Sequence, residues 1–240
     1  MLIKESDLLN FISCPIKYMV YKNNNINEPD TYNTLLHKSY KWTINDYNYN
    51  GLEGLDARIK KHWDKVCIQH QNEILPKKVI EGWGMLYRVY ELLRDKHIEI
   101  LDVDIPYHIE IPGTSYAVEG QIDMISKYGD DIEILVPSFS SRMPESYLID
   151  NNIKHSLDAY AIKEMFNKNT FITYHNYNIS KDKYTARLER DLNKLELIVK
   201  NVGNCIESNL LYPCTGYHCS SCMARAICSE WGKDYNNEAF

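Results

Sequence analysis

Four of the seven cysteines of this 240-residue chain crowd its C-terminal end, where Tyr212-Pro213-Cys214 leads into Cys219-Ser220-Ser221-Cys222 and on to Cys228. Cys219, Cys222 and Cys228 read C-x2-C-x5-C. That spacing lets three thiolates converge on one metal centre while the chain turns around it. A fourth donor is required, and there are two candidates. Cys214 is near in sequence, whereas Cys14 stands at the far end of the chain in Phe11-Ile12-Ser13-Cys14-Pro15-Ile16-Lys17-Tyr18. Ligation by Cys14 would clamp the N-terminal segment to the C-terminal one. Spacing does not separate an iron-sulfur cluster from zinc. A disulfide framework belongs to secreted chains, and Met1-Leu2-Ile3-Lys4-Glu5 opens no signal-peptide core, so the expected compartment is the cytoplasm of a prokaryotic or virus-infected cell. Cys67 and Cys205 fall at helical positions and are expected as ordinary buried thiols.

A Cys-Pro near the start and C-x2-C-x5-C near the end together resemble the iron-sulfur branch of the PD-(D/E)XK nuclease superfamily. That branch includes the RecB-like exonucleases associated with CRISPR systems and the nuclease domain of AddB. The resemblance spans nearly the whole chain. It implies a structural 4Fe-4S cluster on Cys14, Cys219, Cys222 and Cys228, with zinc as the alternative metal and Cys214 as the substitute for Cys14. It also implies that Asp123, in Gly120-Gln121-Ile122-Asp123, matches the Gly-x-(Ile/Val)-Asp motif whose aspartate binds Mg2+ or Mn2+. His37, following Leu35-Leu36, takes the place of an assisting histidine, although Asn33 or Thr34 stands where a glycine is usual. Tyr160, in Ser156-Leu157-Asp158-Ala159-Tyr160-Ala161, keeps the tyrosine of a Gln-Leu-x-x-Tyr-Ala motif while Ser156 replaces its glutamine.

The departures concern hydrolysis itself. An active relative carries an acid, a spacer and a lysine on the next strand; here the corresponding positions are Val136 and Ser138. Two carboxylates hold the hydrolytic ion and the lysine positions or activates water, so both losses bear on rate. Glu133 faces opposite to Val136 and Ser138 in a regular strand, and Pro137 argues against a regular central strand unless a bulge intervenes. The chain is therefore expected to be a catalytically inactive nuclease-like protein in which His37 and Asp123 bind a divalent ion only weakly. The expected role is a DNA-binding accessory in replication, recombination or repair, holding single-stranded DNA or a DNA end. A structural subunit for protein partners is one alternative. An active exonuclease using Asp123, Glu133 and a lysine such as Lys154 or Lys163 is the other.

Pattern and composition supply the scaffold. Val79, Ile80, Trp83, Leu86, Tyr87, Tyr90 and Leu93 recur at the helical period after Pro76 and predict a core helix. From Ile98 the pattern becomes β. Strands are expected over Ile98–Ile111, Tyr116–Ser126 and Asp131–Phe139, joined by turns at Pro112-Gly113 and Gly129-Asp130. Ser6 is read as the cap of a first helix, Asn23–Asp30 and Asn45–Gly54 as loops, Thr170–Tyr177 as a further strand and Tyr184–Ile206 as a long helix. The expected fold is α/β, a central mixed sheet with an antiparallel meander flanked by helices, restriction-endonuclease-like by resemblance. It comprises an N-terminal helical region 1–97, a sheet core 98–180 and a C-terminal helix with the cysteines 181–240, forming one structural unit. A net charge of −6 argues against bulk electrostatic coating of nucleic acid. A local basic groove would draw on Arg58, Lys60, Lys61 and Lys65, on Lys77 and Lys78, or on Lys181, Lys183, Arg187 and Arg190, for which solvated helix faces are the simpler reading. Nineteen tyrosines among many Asn, Ile and Lys suggest an AT-rich genome such as that of a phage. No apolar run reaches the ~18 residues of a membrane span.

Overall fold

The computed structural model describes residues 1–24, 30–96, 98–216, 219–220 and 222–228. The elements run β1 (Leu2–Lys4), α1 (Glu5–Ser13), α2 (Pro15–Asn24), α3 (Tyr32–Asn50), α4 (Leu55–Gln69), α5 (Pro76–Lys96), β2 (Ile100–Glu110), β3 (Ala117–Tyr128), β4 (Asp131–Ser138), α6 (Ser146–Asp150), α7 (Ile153–Phe166), β5 (Thr170–Asn176), β6 (Lys181–Ala186) and α8 (Glu189–Glu207). A 3-10 turn at Met223–Ile227 follows. The protein is a mixed α/β fold whose chain divides into two compact units. One comprises Met1–Pro29, Tyr107–Gly120 and Glu189–Phe240, the other Asp30–Pro106 and Gln121–Leu188.

In the first unit β1 adds in parallel to the opening residues of β3, with Leu2, Ile3 and Lys4 opposite Ala117, Val118 and Glu119. Tyr107 donates to Glu5 at 2.7 Å, and this pair lies over Gly120, where a Cβ would collide with both side chains. Close approach thus demands the glycine of Gly120-Gln121-Ile122-Asp123. α1 stops at Cys14, whose backbone is extended. Pro15, lacking an N–H, then opens α2. Phe11 and Tyr18 meet edge to face at 5.5 Å across that break. α8 buries Leu192, Leu195, Val199 and Val202, and Tyr116 donates from its hydroxyl to Asn204 and Glu207 at its C-terminal end.

In the second unit α3, α4 and α5 bury Leu36, Tyr40, Ile44, Ile59, Trp63, Leu86 and Val89 together with Met124, Leu135, Phe139 and Tyr177 from the sheet side. The sheet runs β3-β4-β5-β6, antiparallel between β3 and β4, parallel between β4 and β5, and antiparallel again between β5 and β6. β4 stays regular through Pro137, which pairs with His175 of β5. Its pairing with β3 ends at Ile134 opposite Ile125, so the missing donor falls where β4 has lost that neighbour. His175 and Asp182 are cross-strand partners with Nδ1 and Oδ1 2.7 Å apart, and Lys96 reaches the same carboxylate at 3.1 Å. Burial alone would raise the Asp182 pKa, but His175 and Lys96 outweigh it and hold the carboxyl below its usual range. A lowered folded pKa stabilises fully above the unfolded value of about 3.9 and is lost as pH falls through the folded value. Asp182→Asn is expected to cost about 0.5–1 kcal/mol at pH 7 after solvent screening. The gap from wild type should shrink in urea melts run near pH 3.

The three strands of the meander and both of its turns lie where periodicity and Gly-Asp or Pro-Gly pairs put them, with Gly113 and Gly129 at φ 68° and 60°. Three expectations need correction. Tyr184 is not in the long helix: Lys181–Ala186 forms β6, whose alternating exposure marks an edge strand, and the helix begins at Glu189. Asn45–Asn50 is not a loop but the last turns of α3, where Asn50 bonds Asp46 one turn back and Arg58 bonds the same Asp46. Ser6 lies inside α1, which starts at Glu5 with no side-chain cap. The polar loop expected over Asn23–Asp30 lies largely outside the described residues.

Candidate functional site

Asp123 sits on β3 in the second unit, and its partner is a lysine. Lys41, from α3, places its Nζ 2.7 Å from Asp123 and 2.8 Å from Asp104 of β2. Asp104 adopts a left-handed φ of 54° within its strand, a conformation that aspartate tolerates better than most residues. Tyr40, Ile44, Val103 and Met124 close in under the three charged groups, leaving no room for a water. Burial by itself would lower the Lys41 pKa; the two carboxylates outweigh it and hold it above the ordinary value. Lys41 is therefore an ammonium throughout the physiological range.

His37 lies one turn before Lys41 on the same helix and packs edge-on against Phe139, with centroids 5.2 Å apart. Desolvation by its neighbours lowers its pKa, Asp123 opposes this and Lys41 adds to it, which leaves a neutral imidazole at pH 7 beside two carboxylates and an ammonium. Of these four groups, sequence reasoning singled out His37 and Asp123 and missed Lys41 and Asp104. The spacing held a signal for Lys41, because His37 and Lys41 at i and i+4 share one helix face. Nothing in Asp102-Val103-Asp104 distinguished Asp104 from a solvated strand residue.

The neighbouring strand offers no further charge. The β3–β4 pairing stops at Ile125 and Ile134, two residues short of Asp123 and Val136. Ser138 bonds Ser140 at 3.2 Å and accepts from Asn176 at 3.4 Å. Glu133 is turned elsewhere: buried, it accepts from Ser126 at 2.8 Å and from Thr173. Lys154 is tied to Asp158 at 2.6 Å and to the Gln121 carbonyl at 2.7 Å. Ser156, at the glutamine position, accepts from Arg187 at 2.9 Å, while the same guanidinium holds the Ile149 and Asn152 carbonyls at the start of α7. Tyr160 is buried within α7. Val136 and Ser138 therefore lie near a site whose charges come from α3, β2 and β3.

The cysteines form a separate locus in the first unit. Cys14, Cys219, Cys222 and Cys228 line one recess together with Ile16, Lys17, Ala224 and Arg225. Cys14 gets there from the helix break at Pro15, and Cys222 and Cys228 flank the 3-10 turn. The backbone N–H of Cys214 donates to Cys14 Sγ at 3.4 Å, while the Cys214 residue itself is exposed and does not line the recess. Among the described residues no three His, Cys, Asp or Glu side chains form a group placed to hold a metal ion. Cys67 is a buried thiol in α4, and Cys205 is only half-buried in α8.

Part of the basic runs is paired. Arg58 bonds Asp46, Lys60 pairs with Asp64, Lys77 and Lys78 both reach Glu81, and Lys183 holds the Pro144 carbonyl. Among the described residues no helix is long and apolar enough to cross a membrane.

No family model matches the chain, and no curated protein matches it either. Solved structures do. A crystal structure from Eubacterium rectale, described as that of a "putative exonuclease", aligns over all of this chain and 89% of its own at 12% identity, with a TM-score of 0.56. The crystal structure of SSO0001 aligns over 90% of this chain and 94% of its own at 14% identity, with a TM-score of 0.39. The first likeness extends over every element described above, and the chain accordingly shares the mixed α/β fold of that structure.

Proposed function

We propose that this protein is a nuclease-fold accessory that has lost hydrolysis and binds single-stranded DNA or a DNA end, as in replication, recombination or repair. The observation that carries this reading is the state of Asp123. Its carboxylate is already paired with Lys41, and the facing strand presents Val136 and Ser138 where a hydrolytic site of this kind has an acid and a lysine. Hydrolysis by a metal-dependent site needs an ion that polarises the phosphoryl oxygen and generates the nucleophile. His37 and Asp123 would be the donors for Mg2+ or Mn2+ without the acid and lysine of the next strand, while the acid and lysine that do lie at Asp123, Asp104 and Lys41, are paired with each other. Lost charge-stabilising groups each cost on the order of 10²–10³ in rate.

The cluster reading belongs to the same proposal. Cys14, Cys219, Cys222 and Cys228 would hold a 4Fe-4S cluster whose contribution is covalent cross-linking of the chain's two ends, with zinc as the alternative metal. The support for this ligand set is that the four cysteines line one shared recess.

A second reading rests on the paired lysines. With Lys60 paired to Asp64, Lys77 and Lys78 sharing Glu81 and a net charge of −6, the helical layer suits a protein partner better than a polyanion. One experiment separates the readings. Anaerobically purified protein is mixed with end-labelled single-stranded and duplex DNA and Mn2+, and run on denaturing and native gels beside Asp123→Ala. The proposal expects intact DNA with both proteins and a shifted band on the native gel. Cleavage that Asp123→Ala abolishes would establish a rearranged nuclease, and the absence of any shift would leave the protein-interaction subunit.

A further inference from the structure

Two carboxylates from different strands, Asp104 and Asp123, converge on one point in the second unit. Such a set repels itself unless a cation balances it, and the resident cation is the Lys41 ammonium, within 2.8 Å of both acids. The ammonium is held from below by Tyr40, Ile44, Val103 and Met124 and delivered by a helix whose Leu36, Tyr40 and Ile44 are core residues. Its position is thus fixed by packing as well as by charge. Asp104 keeps a left-handed backbone in mid-strand, a conformation the fold retains while its carboxylate faces Lys41.

We propose that Lys41 is a tethered cation that does the charge-balancing work of a divalent ion and excludes one from this site. The inference rests on the nuclease-fold reading above and deepens it, because it makes DNA binding independent of metal. Two carboxylates are a partial shell for a hard divalent cation that keeps its remaining waters. In the wild type such an ion must displace an ammonium that never diffuses away, so its apparent affinity falls by the tether's effective concentration. Without Lys41 the two acids are left unbalanced and the same donors are free to take the ion.

The test compares wild type, Lys41→Met, Lys41→Arg and the double variant Lys41→Met/Asp123→Asn. Methionine keeps the apolar stem of lysine against Tyr40 and Val103, and arginine keeps the charge. Mn2+ binding is read directly from the free-ion electron paramagnetic resonance signal and needs no catalysis. Thermal melts confirm that each variant is folded, and Lys41→Gln serves as a replacement should Lys41→Met fail that check. Lys41→Met is expected to bind Mn2+ at least about ten-fold more tightly than wild type, Lys41→Arg to behave as wild type, and the double variant to lose the gain. In gel shifts wild-type DNA affinity should be the same in EDTA and in Mn2+, while Lys41→Met should bind weakly in EDTA and recover in Mn2+. Equal Mn2+ affinity in wild type and Lys41→Met, or a gain that survives Asp123→Asn, overturns the proposal. A wild type that shifts no DNA overturns the DNA-binding reading and leaves the Mn2+ comparison to decide the role of Lys41.

Discussion

Cys222→Ser is expected to give colourless protein without bound iron whose first unit does not fold. Cys222 lines the recess beside Cys14, Cys219 and Cys228, so under the cluster proposal its loss removes one of four donors. Where a structural metal site forms only in the folded chain, its binding free energy is folding free energy, on the order of 10 kcal/mol or more for structural zinc. That is comparable to the whole stability of an ordinary domain, about 5–15 kcal/mol. The first unit sets against the loss a core that includes Leu8, Phe11, Leu195 and Val199. It is assembled from three separate stretches of chain, and α2 and the 3-10 turn meet beside the recess itself. Metal analysis of single Ser variants provides the comparison. Iron should vanish in Cys14→Ser, Cys219→Ser and Cys228→Ser as in Cys222→Ser, and remain at the wild-type level in Cys67→Ser and Cys205→Ser. Cys214→Ser should retain iron as well, because the contact of Cys214 with Cys14 runs through its backbone N–H. Zinc in place of iron in the wild type would change the metal and keep the ligands. A well-folded Cys222→Ser with unchanged iron would remove the cluster altogether.

How far the chain could be read before its fold depended on whether a residue's role was local. The turns at Gly113 and Gly129 announce themselves, because a positive φ favours the residue without a Cβ. Cys14 sits at a helix break because Pro15 follows it, again a local effect. Asp123 is marked by its neighbours in Gly120-Gln121-Ile122-Asp123, although the reason for that glycine, the Tyr107–Glu5 pair lying over it, involves residues far away in sequence. Asp104 and Lys41 were illegible for the same reason. Only tertiary packing brings them to Asp123, and a charged residue on a strand or helix is ordinarily a solvated one. β6 was misread because Lys181-Asp182-Lys183-Tyr184 carries few apolar residues to betray a strand. An edge strand can be polar when its only partner is on one side, and what makes it a strand is β5. The extension of α3 to Asn50 was missed because Asn, Asp and Tyr have weak helix propensity, overridden here by the Asp46 bonds to Asn50 and Arg58.

Trp63→Ala is expected to destabilise the second unit by ~3–5 kcal/mol, the cost of emptying a large aromatic site that the surroundings cannot fill. Trp63 is fully buried in the layer formed by α3, α4 and α5. Its indole donates to the Val79 carbonyl at 2.9 Å, and its ring meets Tyr32, the first residue of α3, edge-on at 6.4 Å. The ring also explains Gly82 in the middle of α5, a position where glycine is worth about 1 kcal/mol less than alanine in a free helix. A Cβ there would run into the Trp63 six-membered ring. Gly82→Ala in the wild type should therefore cost about 1–3 kcal/mol through overpacking. In the Trp63→Ala background the obstacle is gone, the new methyl fills part of the cavity, and the same substitution should become neutral or stabilising. The reversal of sign in urea melts of the four proteins is the result to look for, since contacting residues couple and distant ones add. An equal penalty for Gly82→Ala in both backgrounds would mean that Trp63 does not lie against α5, and the support for α3, and with it the placement of His37 and Lys41, would then have to come from elsewhere in the core.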